Sequence, residues 1–378
     1  MVRRVMKKLG AILLVAGLTI GFCSPSVSAA VKVNQKSAAR AARYVQPEEW
    51  NKEELIAYRF DSEEDLAKYL LTGGLHLYNK DYKEKDHWVK IKVLDSGLLY
   101  MLAVSESDEK ITLYDATKKK VISKNLNGSE YLAIANAGDE FYLKLPTKIK
   151  KTFVAATALK GEFSSMKDGR SYYEIGKGTS TYHPFSVSKR SEVNIEISTV
   201  HKKIGNISAN LEKNVKGKWT NIGRTTIKPN SNGEALVYGL SAGKYRLVLK
   251  NPKDQIVLVE YSRYTRKKKA AYKKSKAIKI NEDVYNIYTS EEQAPRWYKT
   301  TVSSVKQKNY IYVSKYTVEG GFKFSIYKKG KKKAIKTIKL EKKQQRFLLP
   351  KQKGTYYIKV SKLTKKTNGA YEIEESTY

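Results

Sequence analysis

The sequence predicts an all-β protein built from sandwich or barrel modules in tandem, behind a short helical lead. Three observations carry this. From residue 75 onward the apolar residues recur with period two, and no long helical pattern interrupts them. A glycine-led strand phrase returns at domain-sized intervals. The 378 residues are 41% apolar, too apolar for a disordered chain and too long for one ordinary core.

The N-terminus reads as a secretory signal over residues 1–29. Four cations (Arg3, Arg4, Lys7, Lys8) precede an apolar run over 9–22, and Val27, Ser28 and Ala29 offer small side chains for cleavage after Ala29. The run, about 14 residues, is short of the roughly 20 that cross a bilayer. The mature chain is therefore expected to hold no transmembrane segment. Lipid attachment at Cys23 is disfavoured because bulky Phe22 precedes it. Cys23 is the only cysteine, so a disulfide scaffold is excluded, and its loss with the signal suits an oxidising exterior. The expected location is extracellular or cell-wall associated.

Residues 30–74 form the helical lead. Within 46–74, Leu55, Ile56, Phe60, Leu66, Tyr69 and Leu70 recur at roughly helical spacing. Pro47 opens the stretch, Asp61 or Ser62 can cap a second segment, and Gly73 and Gly74 close it. Its acidic residues read as ordinary partners of helix N-termini.

Strands follow. Residues 88–93, 111–114 and 141–145 alternate, and similar segments continue to Ile373. Three closing phrases, over 135–145, 240–249 and 351–360, each place a glycine (Gly138, Gly243, Gly354) before an aromatic-aliphatic strand. Upstream, each copy carries an opening strand and two more in the same order, the third running into a Lys-rich turn. Three sandwich modules are expected, over 75–163, 170–264 and 277–378, joined by polar and cationic connectors. Trp88, Trp219 and Trp297 read as core or strand-partner residues.

The closing text LLPKQKGTYYIKVSKLTKKTNGAYEIEES, with its glycine, Tyr-Tyr-Ile strand, Lys-rich turn and final Gly-Ala-Tyr-Glu-Ile strand, resembles the last two strands of bacterial pre-peptidase C-terminal (PPC) domains. The resemblance is clearest over 295–376, weaker over 180–262 and faint over 86–158. It implies jelly-roll-like β-sandwiches of the kind found as accessory modules of secreted peptidases and other extracellular proteins. The third copy holds few acids where some such domains bind calcium, so no calcium is expected here.

Catalytic signatures are sparse. His76, His87, His183 and His201 are scattered and no HExxH occurs, so each reads as a surface or strand-edge residue. There is no GxSxG elbow. Gly73-Gly74 and Gly320-Gly321 lack the Lys-Ser or Lys-Thr step of a P-loop and read as turns. Glu106, Asp108 and Glu109 read as a solvated turn, while a carboxylate pair brought together in space stays open. No enzymatic activity, cofactor or metal is expected.

Charge is the compositional outlier. The net charge is +36, and residues 267–378 hold 29 Lys plus Arg against 9 Asp plus Glu, a balance of +20. The candidate polyanion-binding residues are Lys267, Lys268, Lys269, Lys273, Lys274, Lys328, Lys329, Lys331, Lys332 and Lys333. The expected partners are anionic wall polymers or a membrane surface. Lys outnumbers Arg, which favours point-charge attraction over bidentate phosphate recognition and argues against nucleic acid. Tyr272, Tyr327, Tyr356 and Tyr357 interleave with the cations. Two other readings remain: lysines that only solubilise the modules and protect strand edges, or a module that binds an extracellular protein or glycan as inhibitor or accessory of a secreted hydrolase.

Overall fold

The structure, a computed structural model, describes residues 43–45, 54–60, 75–78, 87–105, 107–146, 148–149, 151–159, 161–199, 205–229, 233–266, 270–280 and 283–377. The signal segment lies outside the described residues. Among these, the only helical turn is a 3-10 turn at Lys274–Lys276, and the rest of the regular structure is strand. No helix among them is long and apolar enough to cross a membrane.

The helical lead is corrected where it is described. Arg43–Val45 (β1) and Glu54–Phe60 (β2) are strands, while 46–53 and 61–74 lie outside the described residues. The physical reason is pairing: β2 runs parallel to His87–Val93 (β4) over Glu54–Ala57 and then to Lys151–Leu159 (β10) over Tyr58–Phe60, so each part of it has a ladder partner. The segment also reads at period two, with Ala57 fully buried. Tertiary pairing outweighs the helical spacing.

The first sandwich continues with Leu75–Tyr78 (β3), Gly97–Ser105 (β5), Thr112–Asp115 (β6), Val121–Ser123 (β7), Ser129–Ala135 (β8) and Glu140–Leu145 (β9). Its two antiparallel layers run β3-β10-β5-β8 and β4-β9-β6-β7, and β2 bridges them along one side. The second sandwich comprises Arg170–Ile175 (β11), Ser180–Val187 (β12), Ser191–Thr199 (β13), Ile207–Val215 (β14), Lys218–Ile227 (β15), Glu234–Leu240 (β16), Gly243–Lys250 (β17) and Ile256–Thr265 (β18). Its layers are β11-β18-β13-β16 and β12-β17-β14-β15. The third has Ile278–Lys279 (β19), Asp283–Tyr288 (β20), Arg296–Val302 (β21), Asn309–Tyr316 (β22), Phe322–Lys328 (β23), Lys336–Leu340 (β24), Gln344–Leu348 (β25), Gly354–Lys362 (β26) and Gly369–Thr377 (β27). Its layers are β20-β27-β22-β25 and β21-β26-β23-β24, with β19 added parallel to β21.

Counted from the first strand of each set of eight, all three have layers 1-8-3-6 and 2-7-4-5. That is jelly-roll order, two interlocked Greek keys. The glycine-led strands β9, β17 and β26 occupy the same place, seventh in each set. The last two share a further device. Tyr245 and Tyr356, each two residues after the glycine, point inward and donate their hydroxyls to the carbonyls of Ser241 (2.8 Å) and Gln352 (3.0 Å), four residues earlier. Lys213 and Lys328, paired opposite those tyrosines, reach the side chains of the same two residues.

Alternation fills three separate cores. The first collects Val89, Ile91, Val93, Leu99, Met101 and Leu143; the second Ile195, Ile197, Leu211, Tyr238 and Leu247; the third Tyr298, Phe322, Phe324, Ile326 and Ile358. Each fully buried side chain of this size contributes about 1.5–3 kcal/mol.

The chain divides into two compact units, Met1–Glu162 and Phe163–Tyr378. The second unit contains two sandwiches that share a polar joint. Glu292 bridges Arg190 (3.1 Å) and Arg296 (2.7 Å), and Arg296, 1% exposed, also donates to Ile287 O (2.6 Å) and stacks on Tyr288. Arg190 donates to Ile287 O and to Arg266 O, and Lys213 pairs with Glu291. Asn368 donates to Ile222 O at 2.9 Å. Gly239 lets the two backbones meet: a Cβ there would stand 2.1 Å from Tyr288 O.

Candidate functional site: a lysine-aromatic sheet face

The five-stranded layer β19-β21-β26-β23-β24 buries one set of alternate residues and turns the other outward. Tyr298, Thr300, Ile358, Val360, Phe324 and Ile326 go to the core. Outward stand Trp297, Lys299 and Thr301 on β21, Tyr357, Lys359 and Ser361 on β26, Lys323, Ser325 and Tyr327 on β23, and Thr337 and Lys339 on β24. None of these outward residues is an Asp or a Glu.

The register sets this face in rows. Lys299, Tyr357 and Tyr327 are direct cross-strand partners, and so are Trp297, Lys359 and Ser325. The Trp297 and Tyr327 rings lie 5.3 Å apart, and the Lys359 ammonium sits 5.7 Å from the Trp297 ring centre. Lys274, on the 3-10 turn, reaches across: its ammonium lies 4.9 Å from the Tyr327 ring and 5.0 Å from the Tyr357 ring, and it donates to Lys331 O at 3.1 Å. Each contact sets a cation against ring faces.

The sequence candidates fall into place unevenly. Lys273, Lys274, Lys328, Lys329, Lys331, Lys332 and Lys333 are described; Lys267, Lys268 and Lys269 lie outside the described residues. Lys331, Lys332 and Lys333 are exposed on the turn between β23 and β24, and Lys274 ties the preceding connector to that turn. Lys329 is exposed, while Lys328 is half-buried and bonded to Gln352 Oε1 at 2.5 Å. Of the interleaved tyrosines, Tyr327 and Tyr357 belong to the face, Tyr356 is buried in the core, and Tyr272 is exposed. Lys299, Lys323, Lys339 and Lys359 were not among the candidates, because they come singly from alternate positions of separate strands rather than from a run.

Trp88, Trp219 and Trp297 are strand partners on outer faces and belong to none of the three cores. In the first sandwich Trp88 meets Tyr114 edge-on at 5.1 Å, and Lys118 lies 4.3 Å from the Tyr142 ring. In the second, Arg246 sits between Tyr182 (4.5 Å) and Trp219 (4.3 Å), and Glu212, directly opposite on β14, holds its Nε at 2.7 Å.

Of the two placements expected for the histidines, surface or strand edge, His183 takes the second, on the edge strand β12, and is buried rather than at the surface. It is 2% exposed: Nε2 lies 2.7 Å from the buried carboxylate of Glu174, Nδ1 lies 2.8 Å from Phe163 O, and the Phe163 ring stacks on it at 3.8 Å. Thr181 Oγ1 donates to Glu174, which completes a buried polar cluster. The side chains of His76 and His87, and all of His201, lie outside the described residues. Among the described residues, no group of three or more His, Cys, Asp or Glu side chains is placed to hold a metal.

No family model and no curated protein matches the chain. Solved structures similar to it include the PBSX exported protein XepA (10% identity over 56% of this chain and 83% of that one, TM-score 0.17). The triple jelly roll of an archaeal virus turret matches at 8% identity over 85% and 94%, TM-score 0.18. Dimeric latent PorU from Porphyromonas gingivalis matches at 9% identity over 76% and 33%, TM-score 0.16. At these scores the likeness carries no argument; the fold rests on the strand pairing above.

Proposed function

We propose that this is an exported, non-catalytic binding protein, retained at the cell envelope by contact of its third sandwich with anionic wall polymers or lipid headgroups. The observation that carries the reading is the outer face of β21-β26-β23-β24, where Lys299, Lys323, Lys339 and Lys359 stand among half-buried rings with no carboxylate among the outward residues. Such a surface attracts polyanions through a field that salt screens within about 8 Å at physiological ionic strength. The exposed turn lysines extend the same field. Membership of the PPC-like accessory modules is part of this proposal.

Purified protein is expected to sediment with cell-wall sacculi at low ionic strength and to be released by roughly 0.5 M salt, where exposed charge contacts are screened. Removal of teichoic acid should abolish sedimentation. Retention that ignores salt would overturn the electrostatic reading. It would favour the second one, a glycan module, which the grouping of Trp297, Tyr327 and Tyr357 on one sheet face supports.

A further inference from the structure

At one end of the third sandwich the ends of β22, β23, β24 and β26 surround a concavity of about 500 Å³. Four of its lining residues are lysines, Lys315, Lys323, Lys339 and Lys362, and its one carboxylate is Glu341. Three features show it is built into the fold. Lys315 donates to Gly320 O at 3.1 Å, and Lys362 donates to Ser290 O at 3.0 Å and Thr289 O at 3.3 Å, so both ammonium groups are held in place. Gly321 cannot carry a side chain, because a Cβ would stand 2.5 Å from Leu340 O, so the loop folds in close over the site. Lys323 and Lys339 are direct cross-strand partners, an arrangement of like charges that destabilises a sheet unless something lies between them.

Burial pushes the Lys362 ammonium down to about 8, against Glu291 and Glu292, which favour its charge. Burial also lowers Lys315, against Glu341. Both are cations short of solvation, and an anion in the concavity would supply what burial removes.

We propose that this concavity is a discrete site for a phosphate group, carried by a polymer or a lipid headgroup. Four lysines against one glutamate give the lining a surplus that a single carboxylate ligand would not balance. Lysine serves phosphate as a point charge without bidentate geometry. The space also admits the sugar or polyol to which the phosphate is attached. The site shares Lys323 and Lys339 with the sheet face described above and adds Lys315 and Lys362, and its saturable binding of a single phosphate group distinguishes it from the diffuse attraction of that face.

The test is lysine-selective NMR of the full chain at physiological salt, titrated with glycerol 3-phosphate. Saturable shifts are expected at Lys315, Lys323, Lys339 and Lys362, at concentrations that leave Lys331, Lys332 and Lys333 nearly unmoved. Lys323→Gln and Lys339→Gln should each weaken the dissociation constant roughly tenfold, which is about 1.4 kcal/mol. The triple variant Lys331→Gln, Lys332→Gln, Lys333→Gln should leave it within about twofold, since those lysines do not line the concavity. Displacement by a glycerol phosphate oligomer identifies a polymer as the source of the phosphate, and displacement by phosphatidylglycerol vesicles a lipid. Non-saturating shifts spread over all lysines, or equal weakening in the triple variant, would overturn the site. Phosphate binding that persists in a protein with no affinity for sacculi would sink only the envelope reading.

Discussion

The second and third sandwiches share one strand order and one packing unit, yet they treat surface charge in opposite ways. In the second, the third residue after the glycine is Arg246, and Glu212 stands opposite to neutralise it between two rings. In the third, the corresponding residue is Tyr357, Tyr327 stands opposite, and the lysines around them meet no acid among the outward residues. The difference separates two jobs for one architecture. A cation clamped by ring and carboxylate stabilises its own sheet, whereas cations gathered without a carboxylate present a field to something else.

The comparison breaks most completely if the two sandwiches are uncoupled. Glu292→Gln leaves Arg190 and the buried Arg296 without their carboxylate, and loss of a partner from a buried pair costs about 3–5 kcal/mol. Chemical denaturation of residues 163–378 should show the second unit destabilised by that order. Gly239→Ala attacks the same joint by steric means. Its Cβ would meet Tyr288 O, and overpacking costs about 1–3 kcal/mol. An unchanged midpoint for both variants would show that the sandwiches do not lean on each other.

Acid sharpens the contrast because the carboxylates of the two regions have shifts of opposite sign. At the joint, burial pushes Glu291 upward, but the hydrogen bond and charge of Lys213, with hydrogen bonds from its own backbone N–H and from Thr289, together outweigh it and carry the carboxyl down to about 2; Glu292 is lowered as well, by Arg190 and Arg296 against burial. Groups lowered on folding stabilise the fold above their ordinary range, and that contribution is lost as pH falls toward about 2. Within the second sandwich, Glu260 is raised by burial and by Glu196, its direct cross-strand neighbour. Its ionisation works against the fold at neutral pH, so protonation relieves it. Stability measured from neutral to acid pH should therefore fall in wild type, and fall less in Glu292→Gln. An identical acid profile in that variant would mean that the Glu292 carboxylate contributes nothing to it.

How much of this was legible in the sequence depends on whether a feature is local. Alternation and the Gly138, Gly243 and Gly354 phrases are local, and they led to a sheet-built protein. The apolar spacing of the strand Glu54–Phe60 fits both periods over so short a segment, and only pairing with β4 and β10 decides between them. The cationic runs drew attention to Lys331, Lys332 and Lys333, which lie on a turn. The sheet face takes one lysine from each of several strands, and a search for contiguous charge passes over such a set. His183 and Glu174 are nine residues apart and meet across adjacent layers, which no spacing rule reveals.

The third face can also be given the second one's solution. Tyr327→Glu sets a carboxylate opposite Tyr357 and beside Lys274, and low-salt affinity for a glycerol phosphate polymer should drop roughly tenfold, since one acid both removes attraction and adds repulsion. Trp297→Ala should act more weakly, about threefold, and should lower the salt-resistant part of binding if rings contact sugar.

The smallest effect comes from the reverse exchange. Glu212→Gln frees Arg246 while leaving Tyr182 and Trp219 on either side, which makes the second face a partial copy of the third. Both members of this pair are partly exposed, so the stability cost should stay below about 1 kcal/mol. If an unneutralised cation among rings is what recruits the polymer, this variant gains affinity by about twofold at low salt and loses the gain at high salt. A variant that is less stable yet binds no better would show that lysine number across the third face, rather than the absence of a carboxylate, sets the attraction.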